Sequence, residues 1–175
     1  TMYTHFKFQI PKTAMKDKRE LPSWAFGNDV MEDMASYFGM VKCLDDNIGR
    51  LIQELDRLDL MEHTIVVFTS DHGDLCGEHG RTNKSVPLEA SARVPLIICY
   101  PKGLEGGKVV DEVLSIVDFA PTILSLAGVE TNAFRAGRDF TYLLQGEECS
   151  KEWRDAVFMR GGDTQDGTAK SWVSV

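Results

Sequence analysis

The first strong pattern along the chain is a stretch in which apolar residues recur at steps of three and four. It runs from Asp29 to Leu58, and this spacing predicts one long amphipathic helix, for which Asn28 or Asp29 is a suitable N-cap. The residues before it contain turn formers without periodicity and are predicted to form loops. The pattern therefore divides the chain into a loop-rich lead-in, residues 1–28, and one folded domain, residues 29–175.

Two short apolar runs follow the helix, Thr64–Thr69 and Val94–Tyr100. Both are too uniformly apolar for a half-exposed strand, so they are predicted to be strands covered on both faces, as in a parallel sheet. A second helix is predicted from Asp118 to Gly128, because the segment has a capping residue, a proline in its first turn and a glycine at its end. Shorter strands are predicted at Lys108–Asp111, Ala156–Met159 and Ser171–Val175.

The order of these elements predicts the fold class. Helix, buried strand, loop, buried strand and helix follow one another along the chain. This order is typical of an α/β layered sandwich, in which a mostly parallel central sheet is flanked by helices.

Composition excludes several classes of protein. The chain has 175 residues, with 19 Lys and Arg against 27 Asp and Glu, and a formal net charge of −8. This charge argues against a nucleic-acid-binding protein whose affinity rests on overall positive charge. The apolar runs are too short to span a membrane, and residues 1–20 do not resemble a secretion signal. The four cysteines are far apart and are predicted to be structural thiols, which leaves the compartment unknown.

One carboxylate falls inside the apolar stripe of the long helix. Asp45 lies between Val41 and Ile48 on that stripe, and a buried carboxylate needs a partner. Asp45 is then either part of a functional site or a buried hydrogen bond from the helix to a loop. The structural alternative is favoured, because buried polar groups are usually satisfied structurally.

The densest group of functional side chains follows the first buried strand, between Ser70 and Lys84. Ligands of open α/β sheets bind outside the carboxyl ends of strands, and Asp71 and His72 fall at that position. A carboxylate beside an imidazole is half of a site for a divalent metal ion. Two ligands are not a complete site, so the others must come from elsewhere in the fold or from residues outside this sequence.

Three further residues of the same loop are candidates for contact with a substrate. Lys84 lies thirteen residues beyond Asp71, and the glycines between them suggest a loop that brings its ammonium group back toward the metal, where it could hold an oxyanion. The alternative is a solvated surface lysine. His79 and Arg81 could contact a substrate, or could be exposed loop residues without a role.

Several segments occur in a characteristic order: Tyr37–Leu55, Thr64–Lys84, Arg93–Ile98, Ser115–Val129 and the sequence GRDFTYLLQG that ends at Gly146. Together they resemble the sulfatase family of the alkaline-phosphatase superfamily. The resemblance places Asp71 and His72 on the metal-binding pair of the family, and Lys84 on the lysine that contacts the sulfate group. It gives Asp45 a structural role.

The resemblance also bears on the metal ion. Many sulfatases have Asn at the position of His72, whereas histidine occurs in the branch that resembles choline sulfatases and phosphonate monoester hydrolases. Calcium is the expected ion, and the imidazole also suits manganese or zinc.

The family's nucleophile is missing from this sequence. Sulfatases use a formylglycine made from Cys or Ser in a C/S-x-P/A-x-R motif, and an adjacent pair of upstream aspartates completes the metal site. The motif does not occur in the 175 residues, and hence no aspartate pair lies upstream of one. The sequence thus resembles the C-terminal part of a sulfatase catalytic domain, with formylglycine expected only in a missing upstream segment.

The function implied is part of a metal-dependent sulfatase that hydrolyses sulfate esters, inactive without the nucleophile. One alternative is a phosphodiesterase or phosphonate monoester hydrolase of the same superfamily, and another is a non-catalytic binding or assembly module. A partial domain leaves apolar surface uncovered, so we expect self-association or pairing with a complementary N-terminal segment.

Overall fold

The computed structural model describes residues 30–80, 83–130, 136–147, 153–161 and 172–174. The predicted long helix is confirmed as α1, Val30–Arg57, while its predicted caps lie outside the described residues. Asp59 ends the helix with a left-handed backbone, at a φ of 57°. The N–H of Leu60 donates to the carbonyl of Leu55 at 2.9 Å, which satisfies an otherwise free carbonyl of the last turn.

The two buried runs form a strand pair, but its direction differs from the prediction. Strands β1, Val66–Thr69, and β2, Leu96–Cys99, pair antiparallel, with Thr69 opposite Leu96. The expected parallel arrangement is therefore wrong for this pair. In the described part of the segment between them, the chain forms only a short turn and the four-residue helix α2, Glu89–Ala92. A parallel pair needs a crossover, usually a helix, that carries the chain back along the sheet, and α2 is too short to do so.

One face of this strand pair is open. Phe68 and Ile97 lie directly opposite each other and are 42% and 62% exposed. The predicted coverage of both faces is thus not found among the described residues. Part of α1 is also uncovered, with exposed apolar side chains at Met40, Val41, Leu44 and Leu51.

Asp45 is exposed on α1. The predicted burial of its carboxylate is wrong in the described part of the chain, because helical periodicity identifies an apolar stripe but not whether another element covers it.

The second predicted helix is confirmed as α3, Phe119–Leu126. Gly128 ends it with a φ of 72°, and the N–H of Val129 donates to the carbonyl of Leu124 at 2.8 Å. A last helix, α4, covers Thr141–Gln145. The glycine predicted to end α3 therefore does so, since it adopts the left-handed conformation at little steric cost.

Of the three short predicted strands, Lys108–Asp111 is wrong, Ala156–Met159 is shifted, and Ser171–Val175 is confirmed. Residues 108–111 form no strand, and Lys108 instead donates to the carbonyl of Gln145 at 2.7 Å. Strands β3, Met159–Gly161, and β4, Trp172–Ser174, form a separate antiparallel pair. The strand β3 begins where the predicted Ala156–Met159 run ends.

A fully buried carboxylate holds the later segments together. Asp118 accepts hydrogen bonds from the backbone of Ser115 and Arg138, at 2.9 and 2.8 Å, and from the guanidinium of Arg154 at 2.8 Å. Asp118 thereby links the start of α3 to two segments that follow it in the chain.

Candidate functional site

The candidate metal ligands lie directly after β1. The hydroxyl of Ser70 donates to the carbonyl of His72 at 2.7 Å, and the N–H of His72 donates to the carboxylate of Asp71 at 2.9 Å. These local bonds tighten the chain where the strand ends. Asp71 Oδ2 and His72 Nε2 are 3.4 Å apart, so their donor atoms lie side by side.

The two side chains differ in exposure, since that of His72 is only 40% exposed. The Asp71 side chain is 82% exposed. Slight desolvation acts to raise the pKa of Asp71, but the N–H and the imidazole of His72 outweigh it, so the pKa is lower than usual. His72 Nδ1 lies 2.8 Å from the carbonyl of Gly73, which can only accept, so Nδ1 carries the proton. The lone pair of Nε2 is then available to bind a metal ion.

Close backbone packing fixes the loop just beyond this pair. The N–H of Gly73 donates to the carbonyl of Ser91 at 2.9 Å. A β-carbon on Gly73 would lie 1.9 Å from the carbonyl oxygen of Ala90, which no real side chain allows. Only glycine therefore lets the site loop rest against α2.

The next residue, Asp74, closes the loop that contains the other candidates. Its Oδ1 accepts the N–H of Cys76 at 2.8 Å and the N–H of Asn83 at 3.2 Å. The N–H of Leu75 also donates to the carbonyl of Asn83 at 2.8 Å. These bonds bring the chain back to its starting point, and Lys84 follows Asn83 directly.

The helix α1 borders this loop. Tyr37 lies on α1, and its pKa is raised mainly by burial and further by the charges of Cys76 and Asp74 in the loop. Burial is also the main reason that the pKa of Cys76 rises to about 11, with Asp74 and Glu78 adding to it. Cys76 is therefore a neutral thiol at ordinary pH.

The remaining candidates for substrate contact, where described, lie at the protein surface. Lys84 and His79 are exposed, and His79 has a left-handed backbone with a φ of 51°. Arg81 lies outside the described residues. Neither Gly73 nor Asp74 was singled out by the sequence as a site residue, although both belong to the SDHGD sequence that follows the strand.

The donor set suits a divalent cation but is incomplete. A carboxylate oxygen and a free imidazole nitrogen are suitable ligands. Among the described residues, no group of three or more His, Cys, Asp or Glu side chains is arranged to hold a metal ion. Asp71 and His72 could thus supply part of a coordination sphere.

Comparison with known proteins identifies the family. A family model described as sulfatase matches residues 1–129. The chain belongs to the sulfatase family. This sulfatase-family chain is 37% identical over 141 residues to an N-acetylglucosamine-6-O-sulfatase of Bacteroides thetaiotaomicron, a match that covers 80% of this chain and 25% of that protein.

Solved structures give the same result for the fold. A protein solved in complex with its substrate D-glucosamine-2-N,6-O-disulfate has a TM-score of 0.71 and 35% identity, covering 78% of this chain and 28% of that one. Phosphonate monoester hydrolase from Silicibacter pomeroyi also has a TM-score of 0.71, with 32% identity over 81% of this chain and 28% of that one. This sulfatase-family chain is therefore an α/β protein that spans about a quarter of the length of these relatives.

No helix in the described part of this sulfatase-family chain is long and apolar enough to cross a membrane.

Proposed function

We propose that the chain forms part of a metal-dependent sulfatase that hydrolyses sulfate esters. It contributes Asp71 and His72 as metal ligands and Lys84 as a sulfate-binding and catalytic residue, but no nucleophile. The observation that carries this proposal is the sulfatase-family match over a segment that contains all three residues. The name of the N-acetylglucosamine-6-O-sulfatase relative agrees with a sulfate ester as the substrate class.

Each residue has a physical reason for its role. The carboxylate of Asp71 and Nε2 of His72 would hold calcium, or alternatively manganese or zinc, and a bound cation would offset the negative charge of the sulfate oxygens. The ammonium group of Lys84 would stabilise the same oxygens by charge-assisted hydrogen bonds. His79 and Arg81 would contact the remainder of the substrate.

The nucleophile must come from outside this sequence. A formylglycine would supply it from an upstream segment, because the C/S-x-P/A-x-R motif does not occur in the 175 residues. We expect the isolated chain to have negligible sulfatase turnover, and measurable metal-dependent hydrolysis of an aryl sulfate by the purified chain would refute this part of the proposal.

The exposed apolar face of β1 and β2 supports the proposal that another polypeptide segment packs against it. Phe68 and Ile97 would be covered by a complementary N-terminal segment, or by a second copy when the chain is alone. The proposed partial domain covers residues 29–175, preceded by a lead-in over residues 1–28.

A second candidate function is hydrolysis of phosphonate monoesters or phosphodiesters. Two observations favour it: the imidazole of His72 in the candidate metal pair, and the similarity to a phosphonate monoester hydrolase. Sulfate and phosphate are both tetrahedral oxyanions, so the same residues would bind either one.

Titration calorimetry on the purified chain tests the binding roles. We expect weak calcium binding, with a Kd of about 1 mM, because the chain supplies only part of the ligands. Asp71→Asn and His72→Ala should abolish it, whereas Asp111→Asn, a change at an exposed aspartate elsewhere, should not. Sulfate and phosphate are titrated in parallel, and tighter binding of phosphate than of sulfate would favour the second candidate function. Binding of neither anion nor metal would favour a non-catalytic module.

A further inference from the structure

The loop that leads to Lys84 is closed at its base by one carboxylate oxygen. Asp74 Oδ1 accepts N–H groups from both ends of the loop, Cys76 at 2.8 Å and Asn83 at 3.2 Å. These two donors are seven residues apart in sequence. A single acceptor therefore fixes where the chain returns before Lys84.

The base itself is anchored in the protein. Leu75 is 1% exposed, and its N–H donates to the carbonyl of Asn83 at 2.8 Å. On the other side of Asp74, the N–H of Gly73 donates to the carbonyl of Ser91. Asp74 thus sits between two anchored residues, so the position that it gives to Asn83 is defined relative to the end of β1.

The backbone on both sides of Lys84 is in a conformation that ordinary residues avoid. Asn83 has a φ of 76° and Ser85 has a φ of 72°. A left-handed backbone is sterically unfavourable for residues other than glycine, although Asn tolerates it better than most. Such a turn persists only where surrounding contacts hold it, and the hydrogen bond from Asn83 to Asp74 is one of those contacts.

We propose that Asp74 is a positioning residue for Lys84. It acts through the N–H of Asn83 to hold the turn from which the lysine side chain extends. The role rests on the proposed function of Lys84 as the anion-binding group. It requires an acceptor at Oδ1 rather than a negative charge, because the two loop-closing bonds at Oδ1 come from neutral backbone N–H groups.

This distinction between acceptor and charge defines the test. Asp74→Asn keeps an oxygen at Oδ1, whereas Asp74→Ala removes it. We expect Asp74→Ala to weaken the binding of inorganic sulfate, measured in calcium-containing buffer, by about tenfold, the equivalent of 1.4 kcal/mol. Asp74→Asn should stay within about twofold of the wild-type affinity.

A double variant separates positioning from a general structural effect. In the Lys84→Ala background, Asp74→Ala should cause no further loss of sulfate affinity, because the group that it positions is gone. Equal losses in both backgrounds, or an Asp74→Asn variant as weak as Asp74→Ala, would overturn the proposal.

A second measurement does not depend on sulfate. Reductive 13C-methylation gives each lysine an NMR signal, and Lys84→Arg identifies the signal of Lys84. Asp74→Ala should shift that signal while those of Lys102 and Lys108 stay in place, and Asp74→Asn should leave all three unchanged. An unmoved Lys84 signal in Asp74→Ala overturns the positioning role even if sulfate binds. A wild-type chain that binds no sulfate, with a shifted signal in Asp74→Ala, refutes the anion-binding role of Lys84 and leaves the positioning role intact.

Discussion

Asp118 and Arg154 form a buried ion pair, with 2.8 Å between Oδ1 of the carboxylate and Nη2 of the guanidinium. The Asp118 side chain is fully buried and that of Arg154 is 16% exposed. The Arg154 guanidinium also lies over the ring of Trp153, 5.2 Å from its centroid. Removal of the carboxylate would leave a positive charge in the interior without its partner.

Asp118→Ala should therefore destabilise the chain severely. Breaking a buried pair by removing one partner costs about 3–5 kcal/mol, and two backbone donors would lose their acceptor as well. Chemical denaturation monitored by circular dichroism measures the change. The matched control is Asp139→Ala: this exposed carboxylate accepts from Thr141 at the start of α4, and its loss should cost about 1 kcal/mol. Equal effects of the two substitutions would contradict this account of Asp118.

Gly73→Ala should disturb the candidate site through the backbone. The added methyl group would meet the carbonyl oxygen of Ala90 at 1.9 Å, so the loop must move away from α2 and the bond to Ser91 must weaken. We expect a loss of about 1–3 kcal/mol in unfolding free energy and weaker calcium binding. Gly49→Ala is the control, because nothing lies within 4 Å of its β-carbon and a helical Gly→Ala change should stabilise α1 by up to about 1 kcal/mol. A Gly73→Ala chain with wild-type calcium affinity would show that the contact with α2 does not position the site.

The features that the sequence predicted well are local ones. The apolar spacing of α1 and the glycine at the end of α3 each act within a few residues, so both elements were recognised. The pairing of Asp118 with Arg154 joins residues 36 apart, and no periodic pattern records it. The direction of β2 was also missed, because apolar runs look the same in parallel and antiparallel strands.

In the candidate site, too, local patterns were visible in the sequence and contacts between distant residues were not. Asp71 and His72 became candidates because they follow a predicted strand directly. The closure of the loop by Asp74 was not, since it depends on a backbone N–H at Asn83, and every residue except proline has one. Asp45 was misjudged because its exposure depends on which elements cover the helix.

The Cys76 thiol should resist ionisation and alkylation. Burial, and then the charges of Asp74 and Glu78, raise its pKa from 9.0 to about 11. The folded state thus favours the neutral thiol, so its contribution to stability is intact below pH 9 and is lost as the pH rises through 11. At pH 8, iodoacetamide should modify the exposed Cys43 faster than Cys76, which mass spectrometry of the peptides can measure.

The matched variant for this prediction is Cys76→Ser. Its unfolding midpoint should fall less than that of the wild-type chain between pH 9 and 11, because serine does not ionise in that range. Parallel curves for the two proteins would contradict the assigned pKa shift.

The open face of the strand pair should drive self-association of the isolated chain. Phe68 and Ile97 are cross-strand neighbours, and their apolar side chains are exposed together. Phe68→Thr combined with Ile97→Thr places a strand-favouring β-branched residue at both positions and removes apolar area, so it should shift sedimentation toward the monomer. A wild-type chain that is strictly monomeric at high concentration would contradict this prediction. Val109→Thr, at an exposed apolar residue outside the strand pair, is the control and should change nothing.

Thr69 and Leu96 close the strand pair at one end. Both ends of residues 70–95 are therefore held about 5 Å apart, the separation of paired residues in an antiparallel ladder. Every residue of this chain that is proposed to meet the metal ion or the substrate lies in this single segment. Residues 70–95 could therefore be replaced as one segment by the corresponding segment of a related hydrolase, with the junctions placed in β1 and β2. Such chimeras would allow substrate preference to be engineered without redesign of the scaffold.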